Sequence, residues 1–285
     1  MAHSFRLSMG ALAVAAIALG TVKAAATVPF LPHEALYELS LLKTRGSSPI
    51  NSARGRMVYQ FSGNPCEGYT SESRQVSELE VGEGKVTLSD LRMTAWEDAT
   101  GKSYRFKSDS RMNETESSPT DGVAERNGDH ITVKLKQPVV KTFTLDGTTV
   151  FPNQQVQRIV EAAREGKTLL ELTFYDGSDD GEKVYNTLTV IGQPIPPDKP
   201  IASPDPATES EQMKGLTRWP VTVSYYDHDA KKTEGAQTPV YTMSFELYEN
   251  GVSRSLVLDY NDFVIAGALS KLEIKDSKDT KSCSH

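Results

Sequence analysis

The feature that most constrains what this chain can fold into is a period of two. In Ala35-Leu36-Tyr37-Glu38-Leu39-Ser40-Leu41, the side chains of Tyr37, Leu39 and Leu41 share one face. Arg56-Met57-Val58-Tyr59-Gln60-Phe61 repeats the pattern with Met57, Tyr59 and Phe61. Successive side chains of a strand point to opposite faces, so this alternation predicts strands with one buried face. Further strands are predicted over 68–81, 85–96, 103–112, 130–135, 139–145, 168–175, 183–191, 219–226, 240–248, 253–260 and 266–274. Asn127-Gly128, Asp146-Gly147 and Asn250-Gly251 supply hairpin turns between them. Short spacings with such turns predict a mainly β chain, a long antiparallel meander rather than strand–helix–strand units.

One segment breaks the period. Over 153–165, Val156, Ile159, Val160 and Ala163 form a single apolar stripe at helical spacing. Pro152 suits the first turn of that helix and Gly166 its C-terminal cap. An amphipathic helix inside a meander is expected to cover or plug a curved sheet. A second break is the loop 193–208, crowded with Pro194, Pro196, Pro197, Pro200, Pro204 and Pro206. It reads as a linker between two domains or as a long excursion from one sheet.

The first 26 residues carry Arg6, an apolar stretch from Leu7 to Val22, and Ala24-Ala25-Ala26. This is the layout of a cleaved secretory signal, leaving a mature chain, 27–285, expected in the periplasm as one domain without a stable membrane span. Only two cysteines occur, Cys66 and Cys283. Two thiols exported together are expected to form a disulfide. Closing a loop of that length stabilises by at most roughly 5 kcal/mol in the chain-entropy view. The bridge would span the proline-rich segment, which favours the one-sheet reading. With Arg6 and Lys23 removed, the mature chain has 29 basic and 38 acidic residues. That balance argues against nucleic acid as a partner, because phosphates require a basic footprint.

Catalytic motifs fail on their own terms. Ser40-Leu41-Leu42-Lys43 matches a serine–lysine pair, but in a strand the two side chains face opposite ways, and the companion motifs are missing. Gly251-Val252-Ser253-Arg254-Ser255 lacks the closing glycine of a hydrolase elbow. Asp176-Gly177-Ser178-Asp179-Asp180-Gly181 resembles the front of a calcium loop, but Thr187 stands where a bidentate glutamate is needed. Asp227-His228-Asp229 is too isolated from His33 and His130 to assemble a zinc site. No catalytic, cofactor-binding or metal-ligating residues are therefore expected. The numerous carboxylates keep a hydrolase of cell wall or glycan as the alternative.

A collinear set of segments resembles the cell envelope integrity protein EipB family of exported Gram-negative bacterial proteins. The set runs from Pro32-His33-Glu34-Ala35-Leu36-Tyr37 through Gly55-Arg56-Met57 to Cys66-Glu67-Gly68-Tyr69. It continues with the helix from Phe151-Pro152 to Ala163-Arg164 and with Phe174-Tyr175-Asp176-Gly177-Ser178 followed by Lys183-Val184-Tyr185. Trp219-Pro220-Val221 and Cys283 complete it. The resemblance implies a sheet coiled into a β-spiral, an open barrel-like body around a helix, with the disulfide joining an early segment to the C-terminus. It implies a role in envelope integrity and brings no catalytic residues. The expected partners are a hydrophobic ligand, such as a lipid or lipoprotein acyl chain, or other periplasmic envelope proteins.

Overall fold

The structure, a computed structural model, describes residues 28–275 apart from 47, 83, 114, 117–118, 200, 202–204 and 231–236. The segment 1–26, expected to be a secretory signal, and Cys283 lie outside the described residues. The chain begins with five long strands, β1 (His33–Thr44), β2 (Ile50–Asn64), β3 (Gly68–Val81), β4 (Lys85–Glu97) and β5 (Ser103–Met112). A two-residue strand β6 (Thr115–Glu116) precedes β7 (Thr120–Asn127), β8 (His130–Gln137) and β9 (Lys141–Asp146). Helix α1 (Pro152–Arg164) leads to β10 (Leu169–Phe174) and β11 (Tyr185–Ile191). The proline-rich segment carries a short helix α2 (Pro206–Glu209) and a 3-10 turn (Glu211–Met213). Four strands finish the chain: β12 (Arg218–Asp227), β13 (Tyr241–Tyr248), β14 (Ser253–Asp259) and β15 (Phe263–Ile274).

All of these strands belong to one antiparallel sheet in the order β10 to β15, then β1 to β5, then β7 to β9. The first and last strands therefore lie side by side in the middle, with His33 opposite Ile274 and Leu39 opposite Gly267. The sheet does not close: β9 and β10 are its two edges, and α1 is the connection between them.

The period-2 reading fixes which face is inside. Tyr37 lies opposite Met57 on β2 and Leu269 on β15. The inner row Ala35, Tyr37 and Leu39 is 0%, 2% and 4% exposed, while Glu38 and Ser40, on the opposite face, are exposed. Three apolar clusters fill the inner side. One packs α1 through Ile159, Val160, Ala162 and Ala163 on Phe174, Tyr185, Val221 and Val223. A second joins Tyr37, Leu39, Leu256 and Ile265 to Ala207 and Met213 of the excursion. The third gathers Tyr104, Phe106, Ile131, Val133 and Tyr175 around Phe151. Burying each such aliphatic or aromatic side chain contributes about 1.5–3 kcal/mol.

Strand β7 and the first half of β2 were not among the predicted strands. Their inner positions are small because neighbours occupy the space. A Cβ on Gly122 of β7 would sit 2.5 Å from the Phe106 ring and 2.9 Å from Leu135. A Cβ on Gly55 of β2 would sit 2.3 Å from the Val76 carbonyl oxygen. Besides the expected amphipathic helix, α2 adds a second, short one. Asp205 caps it, its Oδ1 accepting from Ala207 N at 3.1 Å, and Pro206 occupies the first turn.

Candidate functional site

The two helical elements are held against the inner face by different chemistry. The residue that opens α1, Phe151, has no polar side chain to cap the helix. Its ring is 0% exposed and stacks on Tyr104 at 5.1 Å. The capping oxygens come from the end of β4 instead: Glu97 Oε2 accepts from Asn153 N at 2.7 Å, and Oε1 from Gln154 N at 3.0 Å. A carboxylate at a helix N-terminus complements the unpaired N–H groups and the helix dipole. Burial nonetheless raises the Glu97 pKa to about 7, although the two N–H donors and nearby Arg126 act in the opposite sense.

Arg126, on β7, completes this knot. It donates from Nε to Gly101 O at 3.0 Å and from one terminal nitrogen to Thr149 O at 2.9 Å and Gln154 Oε1 at 3.0 Å. Its other terminal nitrogen donates to Gly147 O, and its guanidinium lies 5.3 Å from the Phe151 ring. The Glu97 carboxylate and the Arg126 guanidinium are directed at backbone groups or at Gln154. Glu97 is 2% exposed and both its oxygens are engaged, so it anchors the helix rather than offering a free acid.

The excursion is held by a buried ion network. Arg254 pairs with Asp205 and donates to Glu246 Oε2 at 2.8 Å; Arg218 Nε donates to the same oxygen at 2.7 Å. The side chains of Arg218 and Arg254 are only 5% and 6% exposed. Charges this far from water persist only when paired, and removal of one partner strands the others. Between the excursion and the sheet lies an open cleft of about 590 Å³. Ile201, Met213, Leu216 and Tyr248 give it an apolar wall, and Lys199 and Lys214 stand among its lining residues. A second cleft, of about 560 Å³, is lined largely by polar groups, among them Glu171, Asn186 and Thr187.

The motifs considered in the sequence do not converge on a reaction centre. Ser40 and Lys43 are both exposed on β1. Asp227 pairs with Lys183, and His228 Nδ1 lies 2.9 Å from Asn186 Oδ1. The acidic loop 176–181 turns its carbonyls to hydroxyls: Tyr104 donates to Asp176 O at 3.0 Å, Thr120 to Asp179 O at 2.9 Å and Tyr175 to Gly181 O at 2.6 Å. Among the described residues no group of three or more metal-type ligands comes together. His33 is 3% exposed and hydrogen-bonds Leu31 O through Nδ1 at 2.7 Å, with burial lowering its pKa. Cys66 lies in the β2–β3 turn, where its N–H donates to Asn64 Oδ1 at 2.8 Å. The turn then needs Gly68 at φ +81°, where a Cβ would lie 2.6 Å from Glu97 O. Sequence reasoning missed Glu97, Arg126 and the Arg218–Glu246–Arg254 network. They are single charged residues in strand patterns, and only tertiary pairing reveals them.

An unclosed antiparallel sheet wound around a helix, with a cleft beside it, defines an open barrel-like protein. The chain belongs to the EipB-like family, whose sequence profile matches residues 24–276. It is 35% identical over 269 residues to the cell envelope integrity protein EipB of Brucella abortus (strain 2308), covering 93% of this chain and 92% of that protein. Among solved structures it is similar to a β-barrel-like protein of domain of unknown function DUF1849 from Brucella abortus. The TM-score is 0.79 at 32% identity, covering 87% of this chain and 100% of the other. Among the described residues no helix is long and apolar enough to cross a membrane.

Proposed function

We propose that the protein is a non-enzymatic periplasmic component that supports envelope integrity by holding an amphiphile. The ligand class is a lipid or a lipoprotein acyl chain, and its seat is the cleft beneath the proline-rich excursion. The role in the envelope rests on the relationship to the Brucella protein. The observation that carries the binding reading is the cleft itself, which sets Ile201, Met213, Leu216 and Tyr248 against Lys199 and Lys214. An apolar wall with a few placed polar groups is the usual composition of a small-molecule site. The inner side around α1 is packed by side chains, so the cleft supports a ligand better than a sealed barrel interior does.

Titration of delipidated protein with a fluorescent fatty-acid probe tests this. Saturable uptake that weakens in Met213→Asp is the expected result. The absence of uptake, together with no lipid in the mass spectrum of freshly exported protein, would leave the ligand reading without support.

The Cys66–Cys283 bridge is proposed with it. Strand β15 ends at Ile274 opposite His33, and His33 lies opposite Phe61 of β2. The chain thus leaves the sheet at the end that carries Cys66, two strand spacings or about 10 Å away across the sheet. The residues from Lys275 to Cys283 span up to about 26 Å, which is ample. Non-reducing peptide mapping should recover the cross-linked pair, and two alkylatable thiols in exported protein would refute it.

A further inference from the structure

The two open edges of the sheet are not equally guarded. Strand β9 is tied at its start by the Lys141–Glu182 ion pair, and Thr142 and Thr144 alternate with its inward Phe143 and Leu145. Strand β10 has no bulge in its pairing with β11 and no ion pair among the described residues. Its Leu169 is 60% exposed and lies opposite Val190 of β11, itself 46% exposed. Natural edges are usually blunted by charge, proline or a bulge, because unpaired backbone invites another strand.

The bonds at the two ends of β10 fix which backbone groups are free. Ile191 N donates to Thr168 O at 2.8 Å, so Thr168 faces β11. By the alternation of an antiparallel pair, Leu170, Leu172 and Phe174 face β11 too, and Leu169, Glu171 and Thr173 face the other way. Val150 already uses the far part of that outer side. Its N–H donates to Thr173 O at 2.8 Å, and its carbonyl accepts from Tyr175 N at 3.0 Å. The N–H and C=O of Leu169 and Glu171, and the N–H of Thr173, have no hydrogen-bond partner among the described residues. The edge thus accepts extended backbone at one end and is open along the rest.

The side chains beside this edge define what fits it. Glu171 is exposed and has no ion-pair partner among the described residues. With Thr148, Thr173, Asn186 and Tyr226 it lines the polar cleft of about 560 Å³. We propose that β10 is a docking edge for an extended peptide of another protein, added as an antiparallel strand. The peptide carries a lysine or arginine opposite Glu171 and an aliphatic residue two positions on, opposite Leu169. The cation reaches into the polar cleft, and the aliphatic side chain covers Leu169 and Val190. The residue between them turns inward beside the half-buried Leu170. In this mode of recognition main-chain hydrogen bonds supply affinity and alternate side chains supply specificity. A second copy of the chain fits less well. Two-fold pairing of β10 with itself sets Glu171 opposite or diagonal to its own counterpart, where like charges repel. The edge shares no lining residue with the cleft beneath the excursion, so it stands or falls separately from the ligand reading.

The test is titration of residues 27–285 with blocked hexapeptides of the pattern threonine-valine-lysine-valine-Φ-threonine, where Φ is valine, isoleucine or leucine. Amide hydrogen exchange gives the second readout. Saturable binding is expected at up to about 1 mM peptide, with slowed exchange at Leu169, Glu171 and Thr173. Peptides N-methylated at lysine and Φ should not bind, because those two N–H groups face β10. Replacing lysine by glutamate should weaken binding roughly fivefold, and Glu171→Lys should reverse that preference. Leu169→Pro removes one outward N–H at the first residue of the strand, where proline is tolerated, and should weaken every peptide. Thermal unfolding of both variants controls for folding. The proposal is overturned by the absence of saturable binding across the set, by binding that survives N-methylation, or by an unchanged charge preference in Glu171→Lys. A concentration-dependent dimer of the free protein that already protects the same amides would also overturn it, by making the occupant a second copy.

Discussion

Helix α1 and the excursion that carries α2 both cover the inner face of the same sheet, but they are fastened by opposite means. Helix α1 presents thirteen residues with a buried apolar stripe and seals its N-terminus with a carboxylate from another strand. The excursion contributes Ala207 and Met213 to the apolar interior and relies on Asp205, Glu246, Arg218 and Arg254. Apolar burial is non-directional and tolerates small displacements, whereas a buried ion network is all or nothing. One element is built to be permanent. The other is built to be specific in position, which suits the wall of a cleft.

The comparison breaks most readily at Phe151. Phe151→Ala removes a fully buried ring from beneath the start of α1 and is expected to cost about 4 kcal/mol, read as a lower urea midpoint. A smaller loss would mean that α1 is not part of the cooperative core. Arg254→Leu leaves Asp205 without its partner and is expected to cost about 3 kcal/mol. Its signature differs, because proteolysis within 196–217 should accelerate more than cleavage anywhere near α1. Equal acceleration at both places would erase the distinction between the two elements.

Next in size is a pH effect. The folded-state pKa of Glu97 is raised from 4.5 to about 7, so the folded state binds its proton more tightly than the unfolded chain does. Its contribution is therefore fully present below about pH 4.5 and is lost as pH rises through about 7, a change on the order of 3 kcal/mol. Denaturation of wild type and Glu97→Gln at pH 5 and pH 8 checks it, and the wild type should lose ground relative to the variant at the higher pH. The smallest effect belongs to the outer face. Arg74, whose side chain is 54% exposed and bridges Asp90 at 2.9 Å, should be replaceable by alanine with no measurable shift in midpoint.

The contrast also explains what was legible in the sequence. Helix α1 announced itself because Val156, Ile159, Val160 and Ala163 repeat at helical spacing between Pro152 and Gly166. Even there, Gln155 is buried at 5% exposure, within reach of Thr187 Oγ1 at 3.5 Å, a polar core position that no periodicity reveals. Long strands showed through alternation wherever the inner residues are large. They vanished at Gly55 and Gly122, where a partner strand fills the space and small residues are required. The Asp205-Pro206 start of α2 was readable as a helix signal, yet the prolines around it read as loop. The cleft was not legible at all, because Ile201, Met213, Leu216 and Tyr248 converge only after the excursion is folded back and fastened.

The central pairing of β1 with β15 has a consequence for the order of assembly. Synthesis from the N-terminus delivers β1 first and β15 last, and the contact between His33 and Ile274 spans nearly the whole polypeptide. Contacts so distant in sequence are slow to form. Until the last strand arrives, the new chain consists of two unfinished ribbons with raw edges, vulnerable to strand exchange with its neighbours. Cutting the chain between β9 and β10, where the finished sheet is already open, and joining the present ends would turn this long-range seam into a local hairpin. Such a rearranged gene should yield a protein of the same shape that matures faster and aggregates less on the way.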